Sequence, residues 1–97
     1  MTDAELVKFA TEFRKGVLGR SSSALMCAAV CMPLVTLLDI HGVKAELMES
    51  ETETCNHVWL RLADGRVLDP TSDQFGELPP VYLGPPTALH ANPWPFA

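Results

Sequence analysis

The 97-residue sequence predicts a single α+β domain, residues 1–97, in which a buried helix packs on a small antiparallel sheet. Residues 24–40 are apolar almost all round, which is typical of a helix enclosed by the core. Two apolar-rich runs flank Asp64-Gly65, a strong signal for the turn of a β-hairpin. A chain of this length forms one core and buries roughly 60–65% of the surface of its unfolded state.

The N-terminal helix is predicted over residues 2–18, within a segment 1–20. Thr2 and Glu5 have the spacing of a capping box, in which each side chain bonds the other residue's backbone N–H. The apolar positions recur on one face with helical period: Leu6, Phe9, Ala10, Phe13 and Val17. The helix is therefore amphipathic.

The core helix contains Pro33, which removes a backbone hydrogen bond and clashes one turn back. We therefore expect a kink at Pro33 or a late start of the helix there. One of the three serines at 21–23 is predicted to cap the helix. Gly42 is the expected C-cap, and His41 in the last turn is expected to act as a cap rather than as a ligand.

The hairpin has two possible registers. A two-residue loop would pair Ala63 with Arg66, whereas a three-residue loop, 63–65, would pair Leu62 with Arg66. The hydrophobic pattern favours the three-residue loop, because that register gathers the apolar residues on one face: Val58, Leu60, Leu62 and Leu68. On the opposite face, His57 and Asp69 become diagonal neighbours within side-chain reach.

The predicted sheet contains residues 43–48, 56–62 and 66–69. Between the first two strands, the acidic stretch 49–54 is expected to be a solvated loop. The segment 79–97 is rich in proline, and residues 81–83 within it are predicted to form a short edge strand. The tail from His90 to Ala97 has no period, so Trp94 and Phe96 either dock on the core or are mobile.

Composition argues against nucleic acid, membranes and disulfide bonds. The net charge of −5 argues against nucleic acid, which requires a basic surface. No apolar run is long enough to span a bilayer, and Met1 leads into an acidic helix rather than a signal peptide, so we expect a cytoplasmic protein with no membrane contact. Three cysteines are an odd number, which disfavours a disulfide framework. The oligomeric state is not indicated.

A catalytic triad is predicted around the hairpin. A carboxylate beside an imidazole at a strand end is a recurrent way to hold a catalytic histidine in one tautomer. Cys27 and Cys31 lie four residues apart on one face of the core helix, and either thiol would complete a nucleophile, base and orienting acid with His57 and Asp69.

Several of these motifs together resemble the transglutaminase-like branch of the papain-like cysteine protease superfamily. The resemblance covers residues 20–84: Cys27 at the start of a buried helix that runs fifteen residues to Gly42, then His57-Val58-Trp59, then Asp69-Pro70-Thr71 within DPTSDQFG. Within that range the sequence is similar in detail to small bacterial and phage proteins of this kind. One departure is that Leu25 and Met26 precede the cysteine, where glycine is common in the family.

The resemblance implies a papain-like fold and a thiol enzyme that acts on a peptide or protein amide without a cofactor. Cys27 would attack the carbonyl, His57 would take and return the proton, and Asp69 would orient His57. Trp59 on the same face would either form a wall of the substrate cleft or serve in ordinary packing. Spacing to Gly42 favours Cys27, whereas Pro33 fits the first turn of a helix that begins near Cys31.

Two other functions remain open at this point. The first is a binding module that keeps the fold without the chemistry, since fold does not imply function. The second is a zinc site from Cys27, Cys31, Cys55 and His57, a ligand set that is chemically suitable but has no standard spacing and leaves Asp69 unexplained. We expect no metal requirement for folding, because the apolar faces suffice for a core.

Overall fold

The computed structural model describes residues 1–76 and 78–96 and has two helices packed on a five-stranded antiparallel sheet. The elements are α1 (Asp3–Leu18), α2 (Cys27–Ile40), β1 (Ala45–Glu51), β2 (Asn56–Leu62), β3 (Val67–Asp69), β4 (Tyr82–Gly84) and β5 (Trp94–Pro95). Short 3₁₀ helices occupy Ser72–Phe75 and Ala88–His90. The strand order is β4-β3-β2-β1-β5. The predicted α+β class is thereby confirmed; Ala97, the last residue of the proline-rich segment, lies outside the described residues.

The hairpin β2–β3 has the predicted three-residue loop. Leu60 pairs with Leu68, and the N–H of Leu62 donates to the carbonyl of Arg66 at 2.8 Å. Gly65 closes the loop with a φ of +89°, a conformation that glycine adopts without a steric penalty. The register that brings His57 and Asp69 together therefore follows from the turn and from the apolar alternation.

The helices begin and end largely as their sequences indicate. The Thr2–Glu5 capping box opens α1. At the C-terminal end of α2, the N–H of Val43 donates to the carbonyl of Leu38 at 2.9 Å. Gly42 follows the cap residue His41 and has a φ of +81°. This is the bonding pattern of a Schellman motif.

The start of α2 differs from the prediction. The helix begins at Cys27 and its N-cap is Met26, which makes no side-chain cap bond. Ser23 does not cap the helix, because its hydroxyl donates to the Asp73 carboxylate at 2.8 Å instead. Pro33 is accommodated inside α2 on its exposed side.

The first strand is shifted from its predicted position. The chain is extended over β1, Ala45–Glu51, rather than over 43–48, because Val43 is engaged by the end of α2. Half of the predicted acidic loop therefore belongs to the sheet, where Ser50 pairs with His57 and Glu51 pairs with Asn56. Pairing with β2 outweighs the weak strand propensity of the acidic residues.

Both faces of the sheet are buried. One face packs against α1 and α2 in the main core, which includes Leu6, Ala10, Cys31, Leu34, Leu38, Val58, Leu60, Leu62 and Leu68. The other face has a smaller cluster of Met48, Trp59 and Val67, and His90 from the C-terminal segment packs against it. The C-terminal tail is docked, since β5 pairs with β1 and Phe96 packs against the main core. Neither helix described has the length and apolar character needed to cross a lipid bilayer.

Candidate active site

His57 and Asp69 form a buried pair at the end of the hairpin. Nε2 of His57 lies 2.6 Å from Oδ2 of Asp69, and both side chains are 0% exposed. The other carboxylate oxygen, Oδ1, accepts the backbone N–H of Thr71 at 3.2 Å. An ionised carboxylate only accepts hydrogen bonds, so Nε2 of His57 carries a proton and Nδ1 is the nitrogen free to exchange one.

Cys27 is the first residue of α2 and is half-buried beside His57. Burial would raise the pKa of the Cys27 thiol, but hydrogen bonding with His57 and backbone hydrogen bonds at Val58 and Ala28 lower it overall. The first N–H groups of a helix have no partner within the helix and favour a nearby negative charge. The position therefore stabilises a thiolate.

Cys31 lies one turn further along the same helix in a different environment. It is fully buried, and its thiol donates to the carbonyl of Val58 at 3.5 Å. Burial, together with the negative charges of Asp69 and Cys27, raises the pKa of Cys31 well above its ordinary value. This geometry favours Cys27 over Cys31 as the nucleophile.

The charges of the histidine and the carboxylate support each other. Burial alone would lower the pKa of His57, but the hydrogen bond to Asp69 and the contact with Cys27 raise it to about 9. Burial would raise the pKa of Asp69, whereas hydrogen bonds from His57 and His90 lower it. Near neutral pH, the arrangement therefore favours an imidazolium beside the Asp69 carboxylate.

The side-chain amide of Gln74 contacts Nδ1 of His57. Its Nε2 lies 3.2 Å from Nδ1 of His57 and 3.2 Å from Oγ1 of Thr71, while its Oε1 accepts the N–H of Leu25 at 3.2 Å. An amide N–H can donate to Nδ1 only while that nitrogen has no proton. This contact therefore stabilises neutral His57, and the Gln74 amide has to turn away when the imidazolium forms.

The loop before Cys27 is fixed by an ion pair and contains a residue in an uncommon backbone conformation. Arg14 of α1 makes a two-pronged contact with Asp73, at 2.8 Å for each oxygen, and Ser23 donates to the same carboxylate. Leu25 has a φ of +60° and is 81% exposed. A leucine in this left-handed region is uncommon, and glycine, which the resemblance leads one to expect near Cys27, adopts it readily.

His90 is a site residue that sequence patterns did not indicate. Its Nε2 lies 2.8 Å from Oδ2 of Asp69, the same oxygen that His57 contacts, and the residue is 1% exposed. Its Nδ1 accepts the backbone N–H of Thr87 at 3.1 Å. The proton of a neutral His90 is therefore on Nε2 and is donated to Asp69.

Trp59 does not line an open cleft. It is 1% exposed, its indole N–H donates to the hydroxyl of Ser50 at 2.9 Å, and its ring meets His90 edge to face at 4.9 Å between centroids. The predicted role as a cleft wall is therefore not supported by its position. Trp59 instead packs against His90 behind the pair.

A cleft of about 750 Å³ opens next to Gln74 and Phe75, two residues that contact His57. It is lined by Glu51, Thr52, Glu53, Thr54, Gln74, Phe75, Ala88 and Leu89. Phe75 meets the ring of His57 edge to face, with 4.9 Å between centroids. Neither Cys27 nor His57 lines the cleft, and the carboxylates among the described lining residues are those of Glu51 at the end of β1 and Glu53 in the β1–β2 loop.

The residues proposed for zinc do not converge. Within residues 1–76 and 78–96, one group of three potential ligands lies close together, and it consists of His57, Asp69 and His90 rather than the cysteines. That group is already bonded internally. For His90 to bind a metal through Nε2, its proton would have to move to Nδ1, where it would face the N–H of Thr87.

The chain has no significant match among protein-family models, curated proteins or solved structures.

Proposed function

We propose that the protein is a thiol enzyme that cleaves or transfers the acyl group of an amide through a covalent intermediate on Cys27. One observation carries the proposal: a half-buried cysteine at the start of a helix lies beside a buried His57–Asp69 pair. A nucleophile, a base and a group that orients the base are the parts that such chemistry requires. Peptide or protein amides are the substrates that this chemistry suits.

The reaction proceeds in two halves. The Cys27 thiolate adds to the substrate carbonyl carbon, and the resulting oxyanion collapses as the C–N bond breaks. His57 gives the proton on its Nδ1 to the departing amine, which leaves a thioester on Cys27. Water or a second amine then adds to the thioester while His57 accepts its proton, and the thiolate is released. Asp69 keeps Nε2 protonated in both halves.

In this proposal, backbone N–H groups at the start of α2 would stabilise the oxyanion. The amides of Cys27 and Ala28 belong to the first turn, where no carbonyl of the helix accepts from them. Preorganised donors of this kind contribute about 3–4 kcal/mol to acyl transfer. The electrostatic feature that lowers the pKa of Cys27 would thus also serve the transition state.

The transglutaminase-like, papain-like assignment is part of the same proposal. His57-Val58-Trp59 and Asp69-Pro70-Thr71 supply its motifs, and the placement of Cys27 on a helix against the hairpin supports it. Protease, deamidase and acyl-transfer activities share the thioester and differ in what resolves it. A reducing, cytoplasmic environment is included in the proposal because the chemistry requires Cys27 to remain a free thiol.

The alternative is a binding module that has the triad without turnover. The buried polar site argues for chemistry, because a binding surface has no need of three titratable groups that are wholly or largely removed from solvent. The two functions make different predictions about the reactivity of Cys27, which does not depend on knowing a substrate.

The test is the rate of alkylation by iodoacetamide as a function of pH, for the wild type and for Cys27→Ser, Cys31→Ser and Cys55→Ser. We expect Cys27 to react with a midpoint below the free-thiol value of about 8.5 and the rapid phase to vanish only in Cys27→Ser. Cys55→Ser is the matched control, since Cys55 is also half-buried but contacts the hydroxyl of Thr54.

A second measurement tests turnover. Reaction with p-nitrophenyl acetate should release a burst of nitrophenol and leave an acetyl group on Cys27, which peptide mass spectrometry can locate. Adding an amine then separates acyl transfer from hydrolysis. A reactive Cys27 that never forms an acyl-enzyme would favour the binding module, and rapid alkylation at Cys31 would refute the assignment of the nucleophile.

A further inference from the structure

The buried carboxylate of Asp69 has two histidine partners rather than one. Nε2 of His57 and Nε2 of His90 lie 2.6 Å and 2.8 Å from the same oxygen, Oδ2. The second oxygen, Oδ1, accepts the N–H of Thr71. Both oxygens are therefore engaged by donors from three separate parts of the chain, and none of the three side chains has more than 1% exposure.

The tautomer of His90 is determined by its other nitrogen. The backbone N–H of Thr87 points at Nδ1 from 3.1 Å, and the 3₁₀ helix Ala88–His90 holds the ring there through a capping box with Thr87. The Thr87 hydroxyl, 3.0 Å from Nδ1, can serve either tautomer. A neutral ring protonated on Nδ1, however, would place two N–H donors against each other and an unprotonated Nε2 against the carboxylate. Nε2 is thus the donor, and it points at Asp69.

We infer that His90 is a positioning residue, which extends the triad to Cys27–His57–Asp69–His90 by holding the Asp69 carboxylate in its orientation and in its charged form. This inference rests on the proposed function and adds a fourth member to its site. His90 is not itself the base, because its Nδ1 is occupied and its Nε2–H faces the carboxylate rather than the cleft.

The need for a second donor follows from burial. An ionised carboxylate with no exposure is costly unless its oxygens are satisfied, and a proton shared between Asp69 and His57 moves toward the carboxylate when that charge is less well stabilised. His90 supplies a hydrogen bond to the charged form and so keeps the proton on His57. The imidazolium can then stabilise the Cys27 thiolate.

The aromatic surroundings hold His90 in place and add no competing charge of their own. Trp59 meets it edge to face at 4.9 Å, and Tyr82 stacks on it at 6.0 Å with an interplanar angle of 15°. The titratable groups that face it are Asp69 on β3, His57 on β2 and Tyr82 on β4. The ring is therefore held by packing on both sides and by hydrogen bonds at both nitrogens.

The test compares His90→Phe, which keeps a ring and removes the donor, with His90→Gln, which retains an N–H donor at similar reach. We expect alkylation of Cys27 at about pH 7 to fall about tenfold in His90→Phe, as for loss of one hydrogen bond to a charged group, with its midpoint moved to higher pH. His90→Gln should recover most of the rate. His41→Phe is the matched control, because His41 is exposed and contacts Phe9 rather than the site.

A ¹⁵N NMR titration of the wild type decides the matter if the variants fail to fold. We expect the spectrum to show a proton on Nε2 of His90, hydrogen-bonded to Asp69. A proton on Nδ1 of His90, an unchanged pH profile in folded His90→Phe, or a His90→Gln variant no more reactive than His90→Phe would each overturn the inference. If the wild-type Cys27 reacts no faster than Cys55, the proposed function fails, and the NMR tautomer still tests the bond between His90 and Asp69.

Discussion

The first and second turns of α2 each present a cysteine to the hairpin, and the two thiols have opposite properties. Cys27 is half-buried at the helix start and its pKa is lowered, whereas Cys31 is enclosed by the core and its pKa is raised. The residues are identical and share a helix and a strand neighbour, Val58. Their difference comes from a nearby imidazolium and from free helix N–H groups at Cys27, and from burial at Cys31.

The largest expected effect is that of removing the charge that holds His57. Asp69→Asn keeps the shape of the side chain but favours the wrong tautomer and cannot stabilise the imidazolium, so activity should fall by about 10³–10⁴-fold. Alkylation of Cys27 should slow as well, which would make it resemble Cys31. Asp64→Asn is the matched control, because Asp64 lies in the exposed hairpin turn beside Arg66. Unchanged thiol reactivity in a folded Asp69→Asn variant would eliminate the triad.

The next effect concerns stability, for which Cys31 should matter more than Cys27. Cys31→Ser places a hydroxyl in the main core and should lower the free energy of unfolding by about 1–3 kcal/mol, whereas Cys27→Ser should change it little. Urea denaturation measures both. The pH profile of Cys27 alkylation should be the same in Cys31→Ser as in the wild type. A shifted profile would mean that the second turn contributes to the chemistry.

The pH dependence of stability can separate the contribution of His57 from that of Cys27. The pKa of His57 is raised to about 9, so its contribution to stability is fully present below its unfolded value of about 6.5 and is lost as pH rises toward 9. The lowered pKa of Cys27 acts in the opposite sense over the same range. Cys27→Ser removes that compensation and also the part of the increase that Cys27 contributes, which leaves Asp69 to keep the pKa of His57 raised. The stability of this variant should therefore fall by about 1–2 kcal/mol as pH rises above about 6.5. A flat profile would show that Asp69 alone does not raise the pKa of His57.

The smallest effect concerns the residue that opposes the ionised state. Gln74→Glu replaces an N–H donor near Nδ1 of His57 with a carboxylate, which favours the imidazolium. The pH at which His57 loses its proton, followed by ¹⁵N NMR, should rise by less than about one pH unit, whereas near pH 6 His57 is already protonated in the wild type. Gln74→Met, which removes the donor without adding charge, should lie between the wild type and Gln74→Glu. An unchanged pKa of His57 in Gln74→Glu would show that the amide does not oppose the charged imidazole.

The hairpin was predictable because several local signals agree there. The apolar alternation and Asp64-Gly65 select one register, and that register alone brings His57 and Asp69 together. The helix limits of α1 and the edge strand near Tyr82 also follow from local patterns. These features depend on residues within a few positions of one another.

The other members of the site depend on contacts that no local pattern encodes. His90 lies 21 residues beyond Asp69 in a segment without period, and only the folding of that segment over the second face of the sheet brings it to the carboxylate. The extension of β1 into acidic residues is likewise a result of pairing with β2. The environment of each cysteine, too, is a property of the packed helix rather than of its sequence spacing.

The two edge strands of the sheet, β4 and β5, are short and contain or adjoin proline. β4 has Pro80 before it and Pro85 after it, and β5 consists of Trp94 and Pro95. A strand from another molecule needs a row of backbone N–H donors to add to a sheet, and proline has none to offer. The prolines thereby disfavour edge-to-edge aggregation of a chain with 47% hydrophobic residues. The same proline-rich segment that brings His90 to Asp69 also provides both edge strands.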